Sequence, residues 1–386
     1  MKIALITDGI SPYVIGGMQQ HSAYLGMNLV NAGHSVDLFH FVYINQKIPS
    51  SSEVNNFFFK NEKGYKSVHC CYFPNSINFP GNYLWNSFIY SKWVNNIICE
   101  DLDKYDFIYS KGFTSWALLN NVRKKKKDVK IGVNFHGYEM FQYAPNFKTK
   151  FQHLIFRPFV RIINKRADFV FSYGLVISDI ICNIGVERNR ILEIPSAIDS
   201  KWVREKDLSL NQPLKFLFVG RFERRKGIQE INNTILQLSK KFSSLEFHFI
   251  GSIPKEKKIS SEKFKIIYHG LISKEETKQQ LYDNCDVLLC PSYSEGMPNV
   301  ILEAMSRGLA VIATDVGAVR LLVSNENGIL IRNCNDKLIQ EAIIKINSMN
   351  TDLILKMKYS SISKIKKSFL WDDVIKKMVN DIQKNI

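Results

Sequence analysis

Gly220-Arg221-Phe222, followed by Lys226-Gly227, places two cations and flanking glycines directly after the apolar run Leu214 to Val219 and directly ahead of a helical pattern. In open α/β sheets the carboxyl end of a strand is where ligands bind. A helix N-terminus there offers free N–H groups and partial positive charge, and a guanidinium fork with an ammonium completes a cradle suited to a diphosphate. A solvated βα turn is the competing reading, and Arg224 and Arg225 are expected to face solvent. A second constellation, Ser294-Glu295-Gly296-Met297-Pro298-Asn299-Val300-Ile301-Leu302-Glu303, follows the apolar run Val287 to Cys290. Proline suits a first helical turn, so the helix begins near Pro298. Glu295 then lies in a loop and Glu303 one to two turns into the helix, with the N–H groups of Asn299 and Val300 at its start. Two carboxylates at a buried edge without basic neighbours are costly, which points to the hydroxyls of a sugar or ribose as their partners. The competing reading is a helix cap at Glu295 and a surface Glu303.

His136-Gly137 follows the apolar run Lys130 to Phe135, so His136 is expected at the carboxyl edge of a first sheet; the other histidines are read as structural. Asp101-Leu102-Asp103 is the one Asp-x-Asp pair and lies in a polar turn, a poor place for a metal. Lys148 to Arg166 sets Phe151, Ile155, Phe159, Ile162 and Ile163 near one helical face among basic residues, with a kink expected at Pro158. That pattern suits an interfacial helix on anionic lipid, with Arg123 to Lys127 as a second contact, or equally a core helix.

These residues need elements to carry them. Lys2 to Thr7, the Gly16-Gly17 loop, a helical pattern closed by Gly33 and a run from Ser35 to Tyr43 make a βαβ unit. The alternation recurs through 82–99, Phe107 to Ser110, 114–125, Lys130 to Phe135, 150–166 and Phe169 to Ser172, and a fresh series starts at Pro213. Repeated βαβ units imply parallel sheets covered on both faces. The expected fold class is α/β with two doubly wound, Rossmann-like domains, 1–200 and 201–368, the first completed by an amphipathic helix over 369–386. The 386 residues, 45% hydrophobic and 23% charged, are those of an ordinary globular chain. Seven cysteines without a CxxC pair and no apolar stretch long enough to span a bilayer suggest a cytoplasmic protein. A net charge of +16, spread over both halves, draws phosphorylated substrates, anionic lipid or nucleic acid alike.

The two motifs in this order resemble the C-terminal half of the GT-B glycosyltransferases, in particular the large retaining family 4 group. That family has a G-R-hydrophobic-x-x-x-K-G strand end followed by an E-x7-E stretch, and Gly33-His34, His136-Gly137, Ala167-Asp168, Ile194-Pro195 and a closing tryptophan-bearing helix extend the likeness along the chain. The resemblance implies two domains facing a cleft, with the last helix crossing back to the first. It implies that Arg221 and Lys226 hold a donor diphosphate, with Gly17 and the N–H groups of Asn299 and Val300 beside it; that Glu303 binds the nucleotide ribose; that Gly270 and Leu271 contact the base; and that Glu295 and His136 approach the donor sugar. The expected partners are a nucleotide-sugar donor, with UDP as carrier, and a saccharide or polyprenyl-linked acceptor, with no cofactor, no metal requirement and no nucleic acid. Transfer with retention, in bacterial surface polysaccharide synthesis at the inner face of the plasma membrane, is the expected role. Ser196-Ala197, Gly174 and Ala318 to Leu321 depart from the family pattern and leave the sugar open. Rivals are a GT-B epimerase or phosphorylase and a basic binding module.

Overall fold

The computed structural model describes residues 1–59, 63–75, 81–125, 128–242 and 244–386, with the side chains of 123–125 omitted. The basic run 123–127, expected to touch membrane, therefore has its side chains outside the described residues. The chain forms two compact units: Met1–Phe141 with Phe151–Pro195 and Trp371–Ile386, and Gln142–Lys150 with Ser196–Leu370.

The first unit is built on β1 (Lys2–Ile6), β2 (Ser35–Val42), β3 (Ser67–Tyr72), β4 (Phe107–Lys111), β5 (Lys130–Asn134), β6 (Phe169–Ser172) and β7 (Ile191–Glu193). All pair in parallel in the order β3-β2-β1-β4-β5-β6-β7. The central strands β1 and β4 are almost wholly buried, as continuous apolar runs must be when helices cover both faces. Between them run α1 (Gly17–Asn31), α2 (Ser51–Phe58), α3 (Asn82–Ile98), α4 (Trp116–Lys125), α5 (Phe147–Arg166) and α6 (Val176–Asn183).

The second unit repeats the plan with β8 (Lys215–Val219), β9 (Glu246–Ile250), β10 (Lys265–Gly270), β11 (Val287–Cys290), β12 (Ala310–Thr314) and β13 (Gly328–Ile331), parallel in the order β10-β9-β8-β11-β12-β13. Its helices are α7 (Ile228–Leu238), α8 (Glu275–Asp283), α9 (Asn299–Ser306), the short α10 (Val319–Leu322), α11 (Asp336–Asn347) and α12 (Thr351–Ser368). Ile228, Ile231, Ile235 and Leu238 recur at three- and four-residue spacing along α7, and all are buried against Phe216, Phe247 and Ile343. Both sheets reverse strand order at one point, between β1 and β4 and between β8 and β11, which are the switch points where an open α/β sheet opens a crevice at its carboxyl edge.

The last helix, α13 (Trp371–Gln383), buries Trp371, Val374, Ile375, Met378, Val379 and Ile382 and belongs to the first unit. Together with His21, Leu25, Tyr109 and Asn134 its residues enclose a cavity of about 10 Å³, room for one water. The helix α5 continues across Pro158. Its expected single apolar face is divided: Ile163 is core and Phe159 packs on Trp116 at 5.2 Å, while Phe151 and Ile162 are exposed. Helical spacing alone could not separate these, because the five residues cover a wide arc of the helix.

Candidate active site

In the second unit, the loops leaving β8 and β11 diverge at the switch point. Gly220 closes β8 by donating its N–H to the Ile250 carbonyl at 2.9 Å, and a short turn, Arg224–Lys226, delivers Lys226 to the N-terminus of α7. Gly227 caps that helix with φ +70°, and a Cβ there would stand 2.2 Å from the Pro291 carbonyl oxygen, so only glycine lets the two loops approach. Across the crevice Glu295 is buried. Its Oε1 accepts from Lys226 Nζ and from Ser292 Oγ, both at 2.7 Å, and its Oε2 meets Arg225 Nη1 at 3.3 Å. Burial alone would raise the Glu295 pKa, but Lys226 and Arg225 outweigh it and hold the carboxyl below its ordinary range.

The loop backbone is fixed from several sides. Arg225 Nη1 donates to the Ser294 carbonyl at 3.2 Å, Tyr293 N–H donates to the Arg225 carbonyl at 2.8 Å, and Gln142 Nε2 donates to the Glu295 carbonyl at 2.7 Å. Gly317, with φ +56°, lies where a Cβ would be 2.1 Å from that same Glu295 carbonyl. Arg225 is thus packed into the site rather than facing solvent as its position in a charge run suggested. Arg224 likewise turns inward, pairing with buried Glu230 at 2.6 Å and lying over the Tyr293 ring at 4.7 Å. The reason in both cases is a buried carboxylate that needs a cation. Arg221, by contrast, is largely exposed and pairs with Glu223 at 2.7 Å.

Pro298 is the N-cap of α9, Asn299 and Val300 form its first turn, and Asn299 Oδ1 accepts from Ser196 Oγ at 3.1 Å. Glu303, in the second turn, is buried; its Oε1 is 2.7 Å from Lys278 Nζ and its Oε2 accepts from Tyr282 OH at 2.7 Å. The expectation that both carboxylates lack basic neighbours is therefore corrected: Glu295 has Lys226 and Arg225, and Glu303 has Lys278. Lys278 and Tyr282 went unrecognised, although their four-residue spacing on α8 would have set them on one helical face. Gly270 ends β10 with φ +72°, and Leu271 after it is exposed.

In the first unit, Gly17 opens α1, whose first turn has no acidic residue. His136 follows β5 in a left-handed conformation, φ +57°, held by its N–H to Asn134 Oδ1 at 2.7 Å. Its Nδ1 lies 2.6 Å from Tyr173 OH, and its Nε2 is buried without a partner. Burial, with Lys111 nearby, drives the His136 pKa well below its ordinary value and keeps the ring neutral. Asp101 and Asp103 fall at a turn ahead of β4, and among the described residues no cluster of three or more His, Cys, Asp or Glu side chains is placed to hold a metal. No described helix is long and apolar enough to cross a membrane.

Residues 15–202 match the family described as Glycosyltransferase Family 4, and residues 213–348 match that described as Glycosyl transferases group 1. A Bacillus subtilis protein named for teichuronic acid biosynthesis as a glycosyltransferase is 33% identical over 36% of this chain and 34% of its own length. An uncharacterized glycosyltransferase of Methanocaldococcus jannaschii is 21% identical over 98% of this chain and 97% of its own. A Campylobacter jejuni N,N'-diacetylbacillosaminyl-diphospho-undecaprenol alpha-1,3-N-acetylgalactosaminyltransferase is 26% identical over half of each chain, 50% and 51%. The chain thus spans only about a third to a half of two of these three relatives. Among solved structures, a sucrose-phosphate synthase of Thermosynechococcus elongatus superposes with a TM-score of 0.76 at 18% identity, covering 99% of this chain and 98% of the other. With two parallel doubly wound sheets, family matches in both units and this likeness of fold, the chain belongs to the group 1, family 4-like glycosyltransferases of GT-B fold.

Proposed function

We propose that this protein transfers a glycosyl group from a nucleoside-diphosphate sugar to a hydroxyl of a saccharide or lipid-linked saccharide acceptor, in the synthesis of a surface polysaccharide. The observation that carries the reading is the switch-point constellation of the second unit, where Lys226, Arg225 and the N-termini of α7 and α9 stand around buried Glu295. Positive charge concentrated at a sheet's carboxyl edge suits a diphosphate. The names of the Bacillus and Campylobacter relatives supply the polysaccharide and the undecaprenol-linked acceptor as the chemistry to test.

In this reading the diphosphate lies against Lys226 and the N–H groups of Asn299 and Val300, with Arg221 swinging from Glu223 to join it. Glu303 exchanges Lys278 for the ribose hydroxyls, which donate to its carboxylate, and the backbone at Gly270 and Leu271 meets the base, with UDP as the carrier. Within the second unit, Glu295 orients the sugar. The bond from the anomeric carbon to the diphosphate oxygen breaks, the acceptor oxygen bonds to the same face, and the acceptor proton passes to the departing phosphate oxygen. Retention follows from that geometry. The leaving charge is met by cations and helix dipoles, so no metal is required. The exposed Phe151 and Ile162 of α5, among basic residues, are the proposed contact with an anionic membrane surface.

Thermal unfolding with UDP, GDP, ADP and CMP, each with and without EDTA, tests the donor site on wild type and Glu303→Gln. A nucleotide at about 100 times its dissociation constant stabilises by ~2.7 kcal/mol. The expected result is a shift with one diphosphate that survives EDTA and shrinks in the variant. No shift with any nucleotide, together with steeply salt-dependent binding to nucleic acid, would overturn the reading.

A further inference from the structure

The carboxyl edge of the seven-stranded sheet gathers groups that the reading above leaves without a task. Lys111, the last residue of β4, is fully buried, and both partners of its Nζ are uncharged: the Met18 carbonyl at 3.2 Å and His21 Nδ1 at 3.0 Å. The carboxyl of Asp8, beyond β1 on the same edge, attracts its charge. Holding an amine there in place of a leucine or methionine is costly, so its hydrogen bonds must matter more than its packing. Those bonds lead to two places. Met18 is the second residue of α1, immediately after the Gly16-Gly17 loop. His21 sets its ring edge-on to that of His136, with centroids 5.2 Å apart and planes at 85°, and equally close to Trp371 of α13.

Lys111 and Asn134 are register partners on β4 and β5, and Asn134 is the residue that holds the His136 backbone. With the Lys111 ammonium as donor, His21 Nδ1 accepts and the ring proton resides on Nε2, and burial with the neighbouring lysine keeps that ring neutral. His136 is in turn tethered through Nδ1 to Tyr173, which leaves Nε2 as its one free polar atom.

We propose that Lys111 is a positioning residue: through the Met18 carbonyl and His21 Nδ1 it fixes the glycine-loop end of α1 and the ring against which His136 is seated, so that His136 Nε2 is presented to a sugar hydroxyl in one orientation. The part about the sugar rests on the glycosyl-transfer reading; the part about the rings does not. Burial lowers the Lys111 pKa to about 7, with Asp8 opposing, so the group changes charge within the working range while His21 and His136 stay neutral.

The test compares wild type, Lys111→Met, His21→Phe and the double variant, by imidazole nitrogen NMR and by steady-state transfer. In Lys111→Met the His21 ring should lose its single tautomeric form and the His136 ring signals should shift. Because displacement by about 1 Å can cost roughly 10²-fold, kcat should fall roughly tenfold or more, while the nucleotide-induced thermal shift is kept. The double variant should be no slower than the slower single, since both changes cut one connection. Unchanged His136 signals overturn the proposal, as do multiplicative losses or a wild-type kcat in a folded Lys111→Met. If wild type transfers no sugar, the glycosyl-transfer reading fails, and the ring spectra still decide the positioning role. Should Lys111→Met not fold, Lys111→Gln, which keeps a donor for the Met18 carbonyl, replaces it.

Discussion

The two sheet edges share one topology and carry opposite electrostatics. At the β8–β11 edge each buried acid has a cation at bonding distance: Glu295 with Lys226 at 2.7 Å, Glu303 with Lys278 at 2.7 Å, Glu230 with Arg224 at 2.6 Å. At the β1–β4 edge the buried cation, Lys111, is held by a carbonyl and an imidazole, and Asp8 Oδ1 and His136 Nε2 are buried with no partner. The first arrangement is a set of charges already compensated, which in the glycosyl-transfer reading a charged ligand enters by exchanging partners. The second is a cation held by uncharged acceptors, beside polar atoms that have no partner. The fold supplies the crevice in both cases, and the residues at the strand ends decide what it takes.

Lys226→Ala should break the first edge most severely. It removes the ammonium from the diphosphate and leaves Glu295 with Arg225 and Ser292, so transfer should fall by roughly 10²–10³-fold, as when one preorganised charge-stabilising donor is lost. Initial rates with a matched donor and acceptor measure it; a loss under about tenfold would place the diphosphate elsewhere. Glu303→Gln is milder. Tyr282 still has an oxygen to donate to, but the bonds to ribose lose their charge assistance, and nucleotide affinity should drop roughly 10- to 100-fold by calorimetry. An unchanged affinity would mean that the Lys278–Glu303 pair serves the helix packing alone.

The same contrast governs what was legible in the sequence. Lys226, Glu295 and Glu303 stood out because glycines, a proline and two acids at fixed spacing sit between an apolar run and a helical pattern, all within short stretches of chain. Their cations were harder. Lys278 and Tyr282 meet Glu303 only once α8 is set beside α9, and Arg225 looked like one more charge in a basic run until a buried acid faced it. In the first unit His136 was visible at a strand end, but its partner Tyr173 comes from β6, the neighbouring strand reached through a whole crossover helix. Lys111 carried a readable signal that went unused: a charge closing the apolar run Phe107 to Ser110 is a charge at the carboxyl edge. Among elements, the strong alternation of β1, α1 and β2 gave itself away. The edge strand β3, Ser-Val-His-Cys-Cys-Tyr, did not, because it is half-buried from Ser67 to Cys71, exposed at Tyr72, and shows no period of two. The three-residue strand β7 is too short for any periodicity to speak.

The smallest expected effect sharpens the second edge, and it concerns stability as a function of pH. The folded pKa of Lys111, about 7, lies below its ordinary 10.5. Between those values the unfolded chain holds a proton that the native state does not, so this one group makes the native state progressively less stable as pH falls from about 10.5 to about 7, and the full penalty persists at lower pH. Lys111→Met abolishes the contribution. Losing the bonds to Met18 and His21 costs the variant a constant amount, whereas the relief from burying a charge varies with pH. The difference in Tm, variant minus wild type, should therefore rise by a few degrees between pH 10 and pH 6, whatever its absolute sign. Asp8, His21 and His136 face the same amine, burial raising the Asp8 pKa and lowering those of the histidines, and all three are present in both proteins, so the difference between the two follows from removal of the amine. A Tm difference that is flat across pH 6–10 would mean that Lys111 is compensated in the native state, and the two edges would then be electrostatically alike.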